Sequence, residues 1–133
     1  PGDRLAGLPE AYDDAMELLE QREKCPQSVL EARRYIEERY ADPCLSLQGA
    51  ADRLHLSPQH LSRLFRHETG VTFVDYLSRV RIRRAVELLA DGELKMYEIA
   101  ERVGYSSQHY FSSAFKKVLG VSPMEYRRGG AAR

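Results

Sequence analysis

Polar and basic side chains between residues 58 and 69 recur at the spacing of one helix face. At about 100° per residue, the apolar side chains Leu61, Leu64 and Phe65 fall on one side of the predicted helix. The opposite side carries Gln59, Arg63 and Arg66, flanked by His60, Ser62 and His67. Arginine and glutamine can form two-pronged hydrogen bonds with base edges, whereas an ordinary solvated helix face mixes Glu and Lys. We therefore interpret this side as a candidate nucleic-acid-binding face.

A second segment, residues 108–119, repeats this arrangement with weaker chemistry. Its apolar side consists of Phe111, Ala114 and Phe115, and its outward side of His109, Ser113 and Lys116, with Tyr110, Ser112 and Lys117 on the flanks. The segment contains no Arg, and Tyr110 could pack at the helix edge instead of facing a ligand. We expect this face to contact phosphates more than bases.

Both faces belong to an internal repeat. Residues 45–60 align with residues 94–109 at an offset of 49, with identical pairs at Ala51/Ala100, Arg53/Arg102, Ser57/Ser106, Gln59/Gln108 and His60/His109. After one inserted residue the offset becomes 50, which pairs Phe65/Phe115, Gly70/Gly120, Val71/Val121 and Tyr76/Tyr126. Each copy predicts a helix, a tight turn at His55 or Gly104, and a capped second helix. Two copies favour a duplicated helix-turn-helix over a solenoid, which needs at least three repeats.

Capping residues divide the chain into predicted helices, and no segment alternates like a β-strand. The predicted helices cover residues 5–23, 28–40, 46–54, 57–69, 72–89, 96–103 and 106–119, with a last short one from 122. Capping boxes are predicted at Ser28 with Glu31 and at Ser122 with Glu125. We expect an all-α fold, in which two helix-turn-helix subdomains are joined by a long linker helix and preceded by an acidic N-terminal helix.

These elements predict a domain organisation. Residues 1–27 are expected to be a linker helix from a missing upstream domain, residues 28–128 the helix-turn-helix domain, and residues 129–133 a tail. Within the domain, unit one covers about 45–70, the linker helix 72–90, and unit two about 94–120. The absence of an initial Met favours a fragment of a longer protein.

The charge of the chain is zero overall but unevenly distributed. Residues 1–44 carry a net charge of −5, residues 45–90 +3 and residues 91–133 +2. The basic excess coincides with the repeat, as a polyanionic partner would favour. The long helix adds Arg79, Arg81, Arg83 and Arg84, which could contact phosphates, pair with Glu87 or pack between the halves.

Other kinds of chemistry lack the residues that they require. Cys25 and Cys44 form no CxxC pair and have no His cluster beside them, so we expect free thiols and no zinc site. No nucleophile–base pair or glycine-rich phosphate loop is visible. No apolar run approaches the ~20 residues of a membrane span, and residues 1–10 do not resemble a signal peptide. We expect a cytoplasmic protein that is not an enzyme, with no cofactor, no metal and no membrane partner.

Three strings carry a family resemblance: S-P-Q-H-L-S-R-L-F-R-H-E-T-G-V-T-F-V-D-Y-L (57–77), R-I-R-R-A-V-E-L-L (81–89) and E-I-A-E-R-V-G-Y-S-S-Q-H-Y-F-S-S-A-F-K-K-V-L-G-V-S-P-M-E-Y-R (98–127). With them, about residues 29–128 resemble the AraC/XylS family of bacterial transcription regulators. The resemblance implies a seven-helix domain whose two second helices insert into adjacent major-groove segments of duplex DNA. The DNA-contacting positions of the family fall on Gln59, Ser62, Arg63, Arg66, Gln108, His109, Ser112, Ser113 and Lys116. Because Ser113 stands where the family often has Arg or Lys, we expect unit one to read sequence and unit two mainly to anchor.

The resemblance also implies a role and partners. We expect the DNA-binding domain of a transcription activator, with double-stranded DNA and RNA polymerase as partners. The segment before Ser28 resembles the linker of the subgroup fused to response-regulator receiver domains, so a sensor, receiver or dimerisation domain is expected upstream. The fragment is expected to be a monomer, and the full-length protein a dimer. Two alternatives are a protein-interaction adaptor with the same fold and a DNA-alkylation repair enzyme, which would need a metal-held reactive Cys.

Overall fold

The computed structural model describes residues 26–130, which form seven α-helices and a final π-helical turn. The helices are α1 Gln27–Arg39, α2 Leu47–Leu54, α3 Pro58–Thr69, α4 Phe73–Leu89, α5 Met96–Arg102, α6 Gln108–Leu119 and α7 Pro123–Glu125, and the π-helical turn is Tyr126–Gly130. No strand occurs in this part of the chain, and the prediction of an all-α fold is confirmed. The acidic helix predicted for residues 5–23 and the thiol of Cys25 lie outside the described residues.

Most of the predicted caps are present. The Ser46 hydroxyl accepts a hydrogen bond from the Gly49 amide at 3.1 Å, and the Ser57 hydroxyl accepts one from the His60 amide at the same distance. Each hydroxyl satisfies an amide that the helix itself leaves without an acceptor. Ser122 and Glu125 form the predicted capping box, with Pro123 at the first position of α7.

Two caps differ from the predictions. Ser28 lies inside α1, because the carbonyl of Pro26 already accepts hydrogen bonds from the amides of Val29 and Leu30. The N-cap of α6 is Ser107, whose hydroxyl accepts from the Tyr110 amide at 3.2 Å, and not Ser106. In a run of two serines only the backbone geometry decides which one caps the helix, and Ser107 has the extended conformation (φ −148°, ψ 155°) of an N-cap.

The helices belong to two compact units. Among the described residues, unit one contains α1, α2, α3 and the start of α4 to Leu77, and unit two contains residues 40–43 and 78–130. In unit one the Phe65 ring meets the rings of Phe73 and Tyr76 edge to face, with centroids 5.8 and 5.3 Å apart. In unit two the Phe115 ring meets those of Phe111 and Tyr126, both at 5.7 Å. The repeat pairs Phe65 with Phe115 and Tyr76 with Tyr126, so this Phe–Tyr contact occurs in both cores.

The turn before each second helix uses a left-handed residue, as predicted. His55 has φ 59° and ψ 38°, and Gly104 has φ 103°. The amide of the next residue then donates a hydrogen bond to a carbonyl of the preceding helix. Leu56 donates to Ala51 and Tyr105 to Ala100, both at 2.9 Å. Gly104 is further restricted, because a Cβ atom there would lie 2.3 Å from the Tyr40 carbonyl oxygen.

Within unit two, a buried arginine organises the segments around that turn. Arg81, only 8% exposed, donates hydrogen bonds from Nε to the Tyr40 carbonyl at 2.8 Å and from Nη2 to the Asp42 carbonyl at 2.9 Å. Arg127 donates similarly to the carbonyls of Leu89, Asp91 and Leu94. Of the arginines in α4, Arg81 is therefore structural and Arg84 pairs with Glu87, with 2.6 Å between Nη1 and Oε1.

Candidate nucleic-acid interface

Helix α3 separates its side chains as the sequence predicts. Leu61 and Phe65 are fully buried on its inner side. Gln59, Arg63 and Arg66 are exposed on the other side, and Ser62 is half-buried beside them. The N-cap at Ser57 and Pro58 at the first helical position fix where this face begins. The helix ends at Gly70, which has φ 82°.

The guanidinium groups of this face remain available to a ligand. Within residues 26–130, neither Arg63 nor Arg66 has an acidic partner within ion-pair distance. The nearest acid on the helix, Glu68, is only 13% exposed and lies 2.8 Å from Nδ1 of His67. Two unneutralised arginines beside a glutamine form an electropositive surface suited to phosphates and base edges.

Three of the predicted residues line a shallow depression with two residues that the sequence reasoning missed. It has a volume of about 450 Å³ and is lined by Gln59, Ser62 and Arg63 together with Leu47 and Pro58. Leu47 is the first residue of α2 and Pro58 the first of α3, so the depression lies where these two helix starts meet. Leu47 is half-buried, and its position directly after the Ser46 cap did not indicate that it would lie beside α3.

Helix α6 repeats the burial pattern of α3 in unit two. From 61 to 73 and from 111 to 123, the two segments are buried, half-buried and exposed at the same positions. Gly70 and Gly120, which end the two helices, share φ 82°. The structural offset is therefore 50 throughout these helices.

This offset corrects one pairing taken from the sequence. Because Ser107, not Ser106, is the counterpart of Ser57, the residue that occupies the place of Gln59 is His109. Gln108 takes the place of Pro58, despite the matching Gln-His letters. The extra residue is accommodated before the N-cap, between Tyr105 and Ser107.

The predicted residues of α6 also share one side of their helix. Gln108, His109, Ser113 and Lys116 are exposed, and Ser112 is half-buried. Ser113 occupies the place of Arg63, and Lys116 that of Arg66. The two faces therefore differ in chemistry although their helices are built alike.

Tyr110 does not pack at the helix edge, which was one expectation from the sequence. Its side chain is 62% exposed, and the ring contact found for it is with His109, at a centroid distance of 5.8 Å. Its counterpart in α3 is His60, which is also exposed.

In residues 26–130, no three His, Cys, Asp or Glu side chains come together as metal ligands would. The helices of the same segment are too short or too polar to cross a bilayer. The side chain of Cys44 is exposed.

Two helix-turn-helix units, each with a left-handed turn and a serine cap on its second helix, define the class of protein. Residues 50–129 match the model of a protein family that is described as "Helix-turn-helix domain". The chain belongs to the AraC family of helix-turn-helix domains.

Curated relatives include the arabinose operon regulatory protein of Escherichia coli, which is 37% identical over 101 residues, covering 76% of this chain and 35% of the relative. The transcriptional regulatory protein YesN of Bacillus subtilis is 40% identical over 104 residues, covering 74% of this chain and 28% of the relative. The chain thus spans about a third of the length of the curated relatives that it matches.

Solved structures have the same fold. The C-terminal domain of AraT, a response regulator from Geobacillus stearothermophilus, matches with a TM-score of 0.76 and 46% identity over 80% of this chain and 88% of that one. The DNA-binding domain of AdpA in complex with a target DNA matches with a TM-score of 0.73 and 27% identity, over 81% and 96% of the two chains.

Proposed function

We propose that this chain is the DNA-binding domain of a transcription regulator and that it binds double-stranded DNA by placing α3 and α6 in the major groove. The observation that carries the proposal is the exposed side of α3, where Gln59, Arg63 and Arg66 stand together without acidic partners among the described residues. The DNA-bound AdpA domain, which shares this fold, supports it.

The side chains of α3 suit distinct roles. Arg63, in the second turn of the helix, can donate two hydrogen bonds to guanine, and Gln59 can both donate to and accept from adenine. Arg66, a turn further on, suits a phosphate. Ser62 is close enough to the helix surface to donate to a phosphate or a base edge.

The side chains of α6 carry less hydrogen-bonding capacity. Ser113 has a single short hydroxyl, and Lys116 is a point charge suited to a phosphate rather than to one base. Gln108 and His109, at the start of the helix, are the polar groups that could reach bases. Ser112 stands where Ser62 does in α3.

The proposal extends to the protein of which this chain is a part. Residues 28–128 form the DNA-binding domain, and residues 1–27 connect it to an upstream receiver, sensor or dimerisation domain. The whole protein is a cytoplasmic transcription activator that contacts RNA polymerase and catalyses no reaction. The isolated chain is a monomer, and the complete protein dimerises through its upstream part. The response-regulator origin of the AraT domain supports a receiver.

Selection of bound duplexes from a random pool tests the central proposal. We expect one enriched motif. The affinity of the chain for that motif should fall as the salt concentration rises. The logarithm of the binding constant should fall against the logarithm of the salt concentration with a slope of roughly −0.9 for each phosphate that the protein neutralises. An Arg63→Ala/Arg66→Ala variant is the matched control and should recover no motif. A pool without any enriched sequence would contradict DNA reading and favour a protein-interaction adaptor.

A further inference from the structure

An exposed tyrosine in α6 stands where a recognition helix meets base edges. Tyr110 is the third residue of the helix, and its amide is held by the Ser107 hydroxyl at 3.2 Å. The N-terminal residues of such helices are the ones that reach the bases. The backbone at Tyr110 is therefore fixed by the cap, while its side chain is free to meet a groove.

The ring of Tyr110 presents apolar surface to solvent. Scattered exposed hydrophobic side chains are common and need no explanation on their own. Here, however, the 62% exposed ring lies beside the ring of His109, with planes inclined at 57°. The Tyr110 ring, flanked by the His109 imidazole, thus adds apolar surface to a helix side whose exposed members Gln108, Ser113 and Lys116 are polar.

The major groove offers one apolar group to such a surface. Each base pair presents hydrogen-bond donors and acceptors there, and thymine alone adds a methyl group, at C5. An aromatic ring can cover that methyl and remove it from water. The phenol hydroxyl is not needed for this contact.

We propose that Tyr110 is a specificity-determining residue, whose ring packs on the C5 methyl of a thymine in the DNA site. The inference rests on the proposed function, since α6 must enter the major groove. It changes the expectation that unit two mainly anchors. Unit two adds preference for thymine at one position, while its weak hydrogen-bonding face leaves the neighbouring positions less restricted.

Deoxyuracil substitution tests whether the ring contacts the thymine methyl group. In the duplex obtained by selection, each thymine is replaced in turn by deoxyuracil, which removes only the methyl group. With the unaltered chain, we expect one replacement in the part of the site contacted by α6 to weaken binding about fourfold, the effect of one buried methyl. In Tyr110→Ala the same replacement should have no effect, and in Tyr110→Phe the fourfold effect should remain.

A matched control uses another exposed tyrosine. Tyr97 is 60% exposed on α5, outside the recognition helix, and Tyr97→Ala should leave the thymine-to-uracil ratio unchanged. If the affinity for the thymine duplex stays about fourfold higher than for the deoxyuracil duplex in Tyr110→Ala, the inference is overturned. It is also overturned by loss of the effect in Tyr110→Phe, which would assign the contact to the hydroxyl. Failure of the unaltered chain to select any duplex would instead overturn the proposed function.

Discussion

The guanidinium of Arg81 lies over the ring of Tyr105, with 5.1 Å between Cζ and the ring centroid. The same guanidinium donates to the carbonyls of Tyr40 and Asp42. One buried cation thus joins residues 40–42 to the turn that precedes α6. Burial lowers its pKa, and the nearby Tyr105 and Asp42 oppose that change.

Replacing this arginine should destabilise unit two. In Arg81→Met the two carbonyls lose a charged donor, which we expect to cost about 3 kcal/mol of unfolding free energy. Urea unfolding followed by circular dichroism measures this cost. Arg84→Met is the control on the same helix, because Arg84 is exposed and its ion pair with Glu87 lies at the surface, where such pairs add little to stability. Equal stability of the two variants would show that Arg81 has no structural role.

Tyr105 should make the domain sensitive to alkaline pH. Burial raises the pKa of Tyr105 above its ordinary value of about 10, and Ser78 and Arg81 reduce the rise. Because the folded state favours the neutral phenol, its contribution to stability is complete below the unfolded-state pKa and is lost as pH rises through the folded-state pKa. Unfolding free energy measured from pH 8 to 11 should therefore fall less steeply in Tyr105→Phe.

The same substitution makes a prediction at neutral pH. The Tyr105 hydroxyl oxygen is buried and forms no well-aligned hydrogen bond in the described part of the chain, although Ser78 and Arg81 lie near it. Removing a buried hydroxyl that is poorly satisfied should be neutral or stabilising by about 1 kcal/mol. A loss of stability at pH 7 in Tyr105→Phe would contradict this reading.

Two of the left-handed glycines, Gly70 and Gly104, should respond differently to alanine. At Gly70 a Cβ meets nothing within 4 Å, so Gly70→Ala bears only backbone strain, about 1 kcal/mol. At Gly104 it would also meet the Tyr40 carbonyl oxygen at 2.3 Å and Arg81 Nε at 2.9 Å. We expect Gly104→Ala to cost several times as much, as measured by thermal unfolding. Similar losses of stability in both variants would mean that the backbone near Tyr40 moves to accommodate the added Cβ atom at little cost.

Arg63 and Lys116 should affect DNA binding in different ways. Arg63→Ala should weaken binding by about 1–3 kcal/mol and relax preference at one base pair. Lys116→Ala should weaken binding about equally on all sequences and reduce the salt slope by about one contact. Affinities for a panel of single-base variants at two salt concentrations measure both effects.

His109 is the internal check on that difference. It occupies the place of Gln59 and is exposed. If His109→Ala changed base preference as much as Arg63→Ala, hydrogen-bond readout by the two units would be equal, and the expected asymmetry between Arg63 and Ser113 would be wrong.

The fold was largely predictable because its signals are local. Serine caps, Pro58, Pro123 and the glycines after α3 and α6 act within a few residues of their own positions. The spacing of Phe65 and Phe115 with their neighbours indicated the buried sides of the recognition helices for the same reason.

The features that could not be predicted depend on distant segments. Nothing near Arg81 in sequence shows that the carbonyls of Tyr40 and Asp42, some forty residues earlier, become its acceptors. The choice between Ser106 and Ser107 depends on backbone conformation, which identical letters do not reveal. The exposure of Tyr110 was equally open, since a flank position fits either a packed or a solvent-facing ring.

The cap at Ser107 has a practical consequence for engineering. A chimera that exchanges the two recognition helices must be joined at Ser57 and Ser107, since these residues start the helices in the same way. A graft aligned on the shared Gln-His letters would shift the helix by one residue. At 3.6 residues per turn, that shift rotates every transplanted side chain by about 100°. Such a hybrid would bring the intended contact residues to its flank and expose part of its core to water.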